Sequence, residues 1–164
     1  MNRISATSTV VIALLLGCAG FSEGSVQKQK EKKPMTQSQV RFINRAAAGY
    51  SHVVEVRGGR TLYIAGQIAV DREGKLVGAG DFRAQVKQVF ENLKMRLEEA
   101  GATFKDVVKL NYYLVDASDL QALRETRNAY INVESPPAST LVVVKQLVRE
   151  EYLIEIEAIA VANE

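Results

Sequence analysis

The sequence predicts an α+β domain in which one mixed β-sheet carries two helices on a single face. Two observations carry that expectation. Short runs rich in β-branched and aromatic residues stand at 53–56, 61–65, 107–115, 141–144 and 153–161, with period-two alternation clearest in the third and the last. Between them lie two segments with helical spacing, so the order is hairpin, helix, strand, helix, strand, strand, which suits an α+β arrangement.

The elements follow in order. Val53-Val54-Glu55-Val56 and Thr61-Leu62-Tyr63-Ile64-Ala65 flank Arg57-Gly58-Gly59-Arg60. A Gly-Gly pair between two β-rich runs predicts a hairpin. Residues 70–77 repeat the pattern less cleanly, with Gly74 able to take the positive-φ turn position. From Phe82 the period changes: Phe82, Val86, Val89, Phe90, Leu93, Leu97 and Ala100 recur at steps of three and four, Asp81 can cap the start, and Gly101 can end the helix left-handed. Residues 107–115 return to a strand, with Val108, Leu110, Tyr112 and Leu114 on one face and Lys109, Asn111 and Tyr113 on the other. Ser118 and Gln121 form a capping-box pattern opening a second helix that carries Leu120, Leu123, Arg124, Arg127 and Tyr130. Pro136-Pro137 ends what precedes it, and 141–144 and 153–161 supply the last strands.

Ahead of this body, residues 1–18 read as an export leader. Arg3 lies in a short polar lead, residues 10–16 are apolar, and Leu15-Leu16-Gly17-Cys18 follows. The run is too short to span a bilayer, which takes about 20 apolar residues. The tetrad is similar to the bacterial lipoprotein box, which implies that Cys18 becomes the lipidated first residue of a membrane-anchored protein facing the periplasm. The alternative is an ordinary buried apolar helix. Residues 19–37, poor in large apolar side chains and carrying Lys28, Lys30, Lys32 and Lys33, read as a flexible tether, and 38–164 as one domain.

Composition excludes several chemistries. His52 is the single histidine and Cys18 the single cysteine, so the body lacks the imidazole and thiol sets of a hydrolase triad or a zinc site. His52 reads as a structural or partly exposed residue. Gly78-Ala79-Gly80 does not complete a dinucleotide fingerprint, and no cofactor or metal is expected. A net charge of +2, no basic stripe and no tryptophan leave no nucleic-acid footprint.

Tyr50-Ser51-His52, Tyr63-Ile64-Ala65-Gly66-Gln67-Ile68, Pro136-Pro137-Ala138-Ser139-Thr140-Leu141 and Ile154-Glu155-Ile156-Glu157-Ala158-Ile159-Ala160 together resemble the RidA/YjgF family of reactive-intermediate deaminases over roughly residues 49–161. The resemblance implies a chorismate-mutase-like fold, a homotrimer, and a small-molecule ligand held in a cleft between subunits. It also implies hydrolysis of an enamine or imine to a carbonyl compound and ammonia. Within it, Glu155 matches the glutamate that places the attacking water, and Tyr50 a pocket tyrosine. Ala65 stands where a serine or threonine often precedes Gly66, and Leu141 where a cysteine is common. Ser139 occupies the place of the arginine that grips the substrate carboxylate. A charge-assisted contact of that kind is worth about 1.5–3 kcal/mol, so its loss costs roughly ten- to hundredfold in transition-state binding.

Three readings of that loss stay open: a substrate without a carboxylate, another cation in the pocket, or binding without turnover. Arg124 is the cation singled out, since it matches a pocket asparagine of the family; against this, Arg124 and Arg127 read in the first place as an exposed, solvated or ion-paired helical face. For Glu157 the expectation is an ion pair with Lys145 or Arg149. The function expected is therefore an exported imine deaminase with altered or lost 2-imino acid specificity, or else a non-catalytic trimeric binding module tethered to the membrane. A ribonuclease role, attached to some relatives, fits poorly with export and the missing basic stripe.

Overall fold

The computed structural model describes residues 39–164. The leader over 1–18 with Cys18, the tether over 19–37 and the domain's first residue, Ser38, lie outside the described residues. Six strands form one mixed sheet: β1 (Gln39–Ala46), β2 (Tyr50–Arg57), β3 (Arg60–Gln67), β4 (Val107–Leu114), β5 (Ala138–Val143) and β6 (Ile154–Ala162), in the order β1-β2-β5-β4-β6-β3. Two helices, α1 (Phe82–Glu99) and α2 (Leu120–Arg127), cover one face.

The first helix forms as its sequence dictates. The Asp81 side chain accepts a hydrogen bond from the Ala84 amide, and Gly101 takes φ +66° just beyond the end. Its stripe of Phe82, Val86, Val89, Phe90, Leu93 and Leu97 is buried against Leu110, Leu114, Ile154, Ile156 and Ala158 of β4 and β6. Two polar side chains on the same helix bridge it to loops. Gln85 donates to the Glu151 carbonyl at 2.7 Å and accepts from the Leu153 amide at 2.9 Å, and Asn92 donates to the carbonyls of Ile68 and Val70, both at 2.9 Å. Their full satisfaction makes their burial tolerable.

Where the chain makes its hairpin differs from the sequence expectation. β2 pairs antiparallel with β1, through a turn in which Gly49 has φ +81° and its amide donates to the Ala46 carbonyl at 3.0 Å, whereas β3 pairs with β6. Gly58 and Gly59 have positive φ, as a tight turn requires, yet no ladder joins the strands they link. Each strand finds a better neighbour elsewhere. Arg41 and Glu55 face each other across β1 and β2 with a 2.6 Å ion pair, and β3 lays Leu62 and Ile64 against Ala160 and Ala158 of β6. The charged alternation of β1 had concealed it.

That connection bends the sheet. Arg57 and Arg60 are three Cα steps apart, at most about 11 Å. Four strand spacings in a flat sheet would need roughly 19 Å. β2 accordingly shares one pair with β5, Ser51 with Ala138, and then departs. The buried Ser51 secures this crossing: its hydroxyl donates to the Pro136 carbonyl at 2.7 Å and its amide to the Pro137 carbonyl at 3.1 Å.

Smaller differences lie around α2 and after β3. Asp116, not Ser118, caps the approach: its carboxylate accepts from the Ser118 amide at 2.8 Å, a single 3₁₀ turn intervenes, and Gln121 instead donates to Glu125. The Ser118–Gln121 spacing forms no capping box, because the 3₁₀ turn over Ala117–Asp119 moves the helix start to Leu120, whose N-cap Asp119 makes no side-chain cap hydrogen bond. Residues 70–77 keep one bridge, Val70 with Leu76, around Gly74.

Replacing Ser51 by alanine leaves the buried Pro136 carbonyl without its side-chain donor, at a cost of about 1–3 kcal/mol. We expect a lower urea midpoint with an unchanged m-value, measured by equilibrium denaturation.

Candidate functional site

Where β2 leaves β5, a cavity of about 330 Å³ opens beneath α2. Tyr50 and Ala48 close it from the β1–β2 turn, Ser139 and Leu141 from β5, and Tyr112 from β4. The helix contributes Leu120, Leu123, Arg124 and Arg127. Strand register explains the β-side lining. Ser139 pairs with Leu110 and Leu141 with Tyr112, and both β4 residues point toward the helices.

Arg127 is the residue that the sequence reading misjudged. It is 7% exposed, and among the described residues no carboxylate lies within ion-pair distance of it. Its Nη2 donates to the Ala48 carbonyl at 3.4 Å and to Asn128 Oδ1 at 2.9 Å, and Nε donates to the same Oδ1 at 3.2 Å. Gly49 makes room for it, since a Cβ at that position would collide with Nη2. The signal was present in the spacing: Leu120, Leu123, Arg127 and Tyr130 recur at three, four and three residues, so Arg127 occupies the apolar stripe of α2.

The Tyr112 hydroxyl, wholly buried beside the cavity, finds no partner with hydrogen-bond geometry. Burial pushes its pKa far up. The Arg127 guanidinium and the Ser139 hydroxyl are close enough to offset part of that rise. Arg124 is only half-buried and lies on the helix between this cavity and a second recess lined by Gln121 and Glu125.

Of the residues expected at one site, the structure brings together Tyr50, Arg124, Ser139 and Leu141. Glu155, Ala65 and Gly66 stand apart. Glu155 pairs with Tyr113, so it projects from the face opposite Ser139. There the Glu155 carboxylate occupies the place a Cβ on Gly66 would take, which explains a glycine at that position. Gly66 itself lines a separate polar recess with Arg72, Asn92 and Glu98. His52 is exposed, its ring edge-on to Tyr50 at 5.1 Å, and it lies outside the cavity lining.

Glu157 differs from expectation too. It accepts hydrogen bonds from Asn111 at 2.6 Å and Tyr113 at 3.1 Å rather than pairing with Lys145 or Arg149, whose guanidinium pairs with Glu151. The reason is register, which sets Asn111 directly opposite it. Glu155 makes no hydrogen bond or ion pair among the described residues. Partial burial, and then the neighbouring Glu157 charge, raise its pKa above the ordinary glutamate value. No group of three or more His, Cys, Asp or Glu side chains among the described residues is arranged to hold a metal.

A family model described as Endoribonuclease L-PSP matches residues 42–162. A RutC family protein of Pyrococcus abyssi is 43% identical over 111 residues, covering 68% of this chain and 84% of that protein. A protein of Dermatophagoides farinae named 2-iminobutanoate/2-iminopropanoate deaminase is 31% identical over 112 residues, covering 68% and 84%. A solved Rid-family structure from Yersinia pestis, described as of unknown function, is similar with a TM-score of 0.68 and 40% identity, covering 77% of this chain and 99% of that one.

The raised pKa of Glu155 fixes the sign of a stability effect. The folded state holds this proton more tightly than the unfolded chain, so the carboxylate form penalises folding once pH rises from the ordinary glutamate pKa of about 4.3 through the folded value. Glu155→Gln is therefore expected to raise the melting temperature relative to the unsubstituted protein at pH 7 and to leave it unchanged at pH 4, as followed by thermal denaturation across that range.

Proposed function

The chain belongs to the family described as Endoribonuclease L-PSP, which also takes in proteins named RidA and RutC, and from that premise we propose that it hydrolyses a small reactive imine to a carbonyl compound and ammonia. The observation that carries this reading is the cavity between β2, β5 and α2, which is apolar on the Leu120, Leu123 and Leu141 side and polar at Tyr112, Ser139 and Arg127. Such a pocket suits a short aliphatic chain with one polar end. The deaminase name belongs to a relative, and Ser139 stands where the family resemblance implies the arginine that grips the substrate carboxylate.

In the proposed reaction water adds to the imine carbon while one of its protons passes to the nitrogen, giving a carbinolamine. The carbon–nitrogen bond then breaks as the hydroxyl's proton also passes to the nitrogen, leaving the carbonyl compound and ammonia. Glu155 accepts the proton from water and returns it to the leaving nitrogen. A carboxylate with a raised pKa is suited to both steps near neutrality. Because Glu155 and Ser139 lie on opposite faces of the sheet, the cavity of one copy works with the Glu155 face of another. The trimer implied by the family resemblance provides that arrangement. Supporting it, Tyr63, Val142 and Val143 leave large apolar surface uncovered, at 81%, 41% and 51% exposure.

The same separation supports a second reading. A copy that never meets Glu155 of its neighbour binds without turnover, which is the membrane-tethered binding module. Export through the leader and lipid attachment at Cys18 belong to both readings, and they place the ligand outside the cytoplasm.

Turnover separates the two. Full-length protein added to 2-iminobutanoate, generated in situ by an amino-acid oxidase, is expected to accelerate 2-oxobutanoate formation, and Glu155→Gln to reduce that acceleration by about 10²–10⁴-fold. No acceleration by the unsubstituted protein discards the hydrolase.

Self-association is read independently by light scattering. The expected mass is three chains. A monomer that nonetheless turns over imine would sink the shared site.

A further inference from the structure

We propose that Glu157, fixed by Asn111 and Tyr113 of β4, is a positioning residue for the proposed hydrolysis: its charge, held two residues from Glu155 on the same face, governs the protonation of Glu155 and so the lowest pH at which the reaction runs. This rests on the hydrolase reading of Glu155 and adds to it the group that tunes that side chain.

Strand geometry comes first. Glu155 and Glu157 alternate along β6 with Ile154, Ile156 and Ala158, which are buried in the core under the helices. Both glutamates therefore project from the uncovered face, with Cα atoms about 7 Å apart. Like charges at that separation repel, and the repulsion is relieved when one of them takes up a proton.

The two carboxylates nevertheless have unequal surroundings. Glu157 Oε1 accepts from the Asn111 side-chain amide at 2.6 Å and from the Tyr113 hydroxyl at 3.1 Å. Register sets Asn111 opposite Glu157 and Tyr113 opposite Glu155. Tyr113 is thus the immediate cross-strand neighbour of Glu155, yet its hydroxyl goes to Glu157. Both β4 donors are taken up by one carboxylate, and the other has none among the described residues. A donor on Glu155 would favour its charged form and weaken it as a base. Its absence keeps Glu155 able to take a proton from water.

No cation among the described residues pairs with either glutamate. Lys109 stands on the same face of β4, but its Nζ donates to Thr140 Oγ1 at 2.6 Å. Arg149, in the loop before β6, is held by Glu151. From β3, Gly66 packs against Glu155, and Gln67, paired with Ile156, donates to the Ala65 and Gly66 carbonyls; Tyr63 lies farther along, opposite Ile159. From β5, Val142 pairs with Tyr113. Asp71, Arg72, Arg96, Glu98 and Glu99 surround the recess on which Gly66 opens, and Glu155 is not part of its lining. Glu157 is left as the charge that acts on Glu155, second only to burial in raising its pKa.

Glu157→Gln removes the charge and leaves an oxygen for Asn111 and Tyr113, so it separates electrostatics from anchoring. Thermal denaturation of the full-length protein at pH 7 reads the coupling without turnover. The gain in melting temperature from Glu155→Gln is expected to fall to about half or less in the Glu157→Gln background. An equal gain in both backgrounds overturns the proposal. Should Glu157→Gln fail to fold, salt gives the same reading with Glu157 in place. At about 1 M salt, where the screening length is about 3 Å, the gain from Glu155→Gln is expected to shrink, and a gain indifferent to salt overturns the proposal.

Turnover of 2-iminobutanoate generated in situ supplies the pH profile. Glu157→Gln is expected to move the acid limb toward lower pH and to lower the plateau about twofold, since Glu155 then loses its proton more readily and is the weaker base. A lowered plateau with an unmoved limb marks a merely structural Glu157 and overturns the proposal. The hydrolase reading fails separately: thermal coupling of the two glutamates with no imine turnover at any pH discards the reaction while the charge coupling stands.

Discussion

Everything at the cavity depends on how β2 is held to β5. The two strands share one residue pair, Ser51 with Ala138, and Ser51 reinforces it with a hydroxyl donation to Pro136 and an amide donation to Pro137. A longer ladder would have closed the gap that β2 leaves as it departs. A weaker tie would have let the β1–β2 turn swing away, taking Tyr50 and the Ala48 carbonyl with it. The backbone carbonyl that orients Arg127 is thus positioned by a hydrogen bond near the start of β2, and proline at 136 and 137 keeps the accepting segment extended.

Charge in this cavity is a matter of which element delivers it. A guanidinium on β5 would reach in from the sheet, whereas Arg127 descends from α2 and is fixed by its own neighbour, Asn128. The two routes differ in rigidity. The helical route is fixed by three hydrogen bonds, which leave the guanidinium little conformational freedom. It requires glycine at 49, because any Cβ there meets Nη2 and because φ +81° strains other residues.

Opposite faces of one sheet cannot cooperate within one chain. Ser139 and Glu155 lie on strands separated only by β4, yet alternation sends one toward the helices and the other away. The uncovered face carries a polar group of its own, Asn111, Tyr113 and Glu157 joined by hydrogen bonds, with Glu155 beside it, unpartnered among the described residues. The Tyr113 hydroxyl, which donates to Glu157, is held protonated more strongly than an ordinary phenol by that same carboxylate. That face therefore sets fixed dipoles beside a carboxylate that has no hydrogen-bond or ion-pair partner among the described residues.

Local pattern, by itself, determined a good deal here. The Asp81 cap, the three- and four-residue rhythm of α1 before Gly101, and the alternation of β4 and β6 were readable because each depends on residues within a turn or two of one another. The motifs around Tyr50, Gly66, Ser139 and Glu155 likewise declared the family and the absent arginine. Only the tertiary structure decided which strands became neighbours: Gly58-Gly59 has the local chemistry of a hairpin, but cross-strand pairing with β1 and β6 outcompetes it. Only the tertiary structure separated Arg127 from Arg124 as well. Helical spacing gives the face on which a residue stands, whereas burial of a charge is set by what the distant chain brings against that face, here a glycine and a carbonyl some eighty residues earlier.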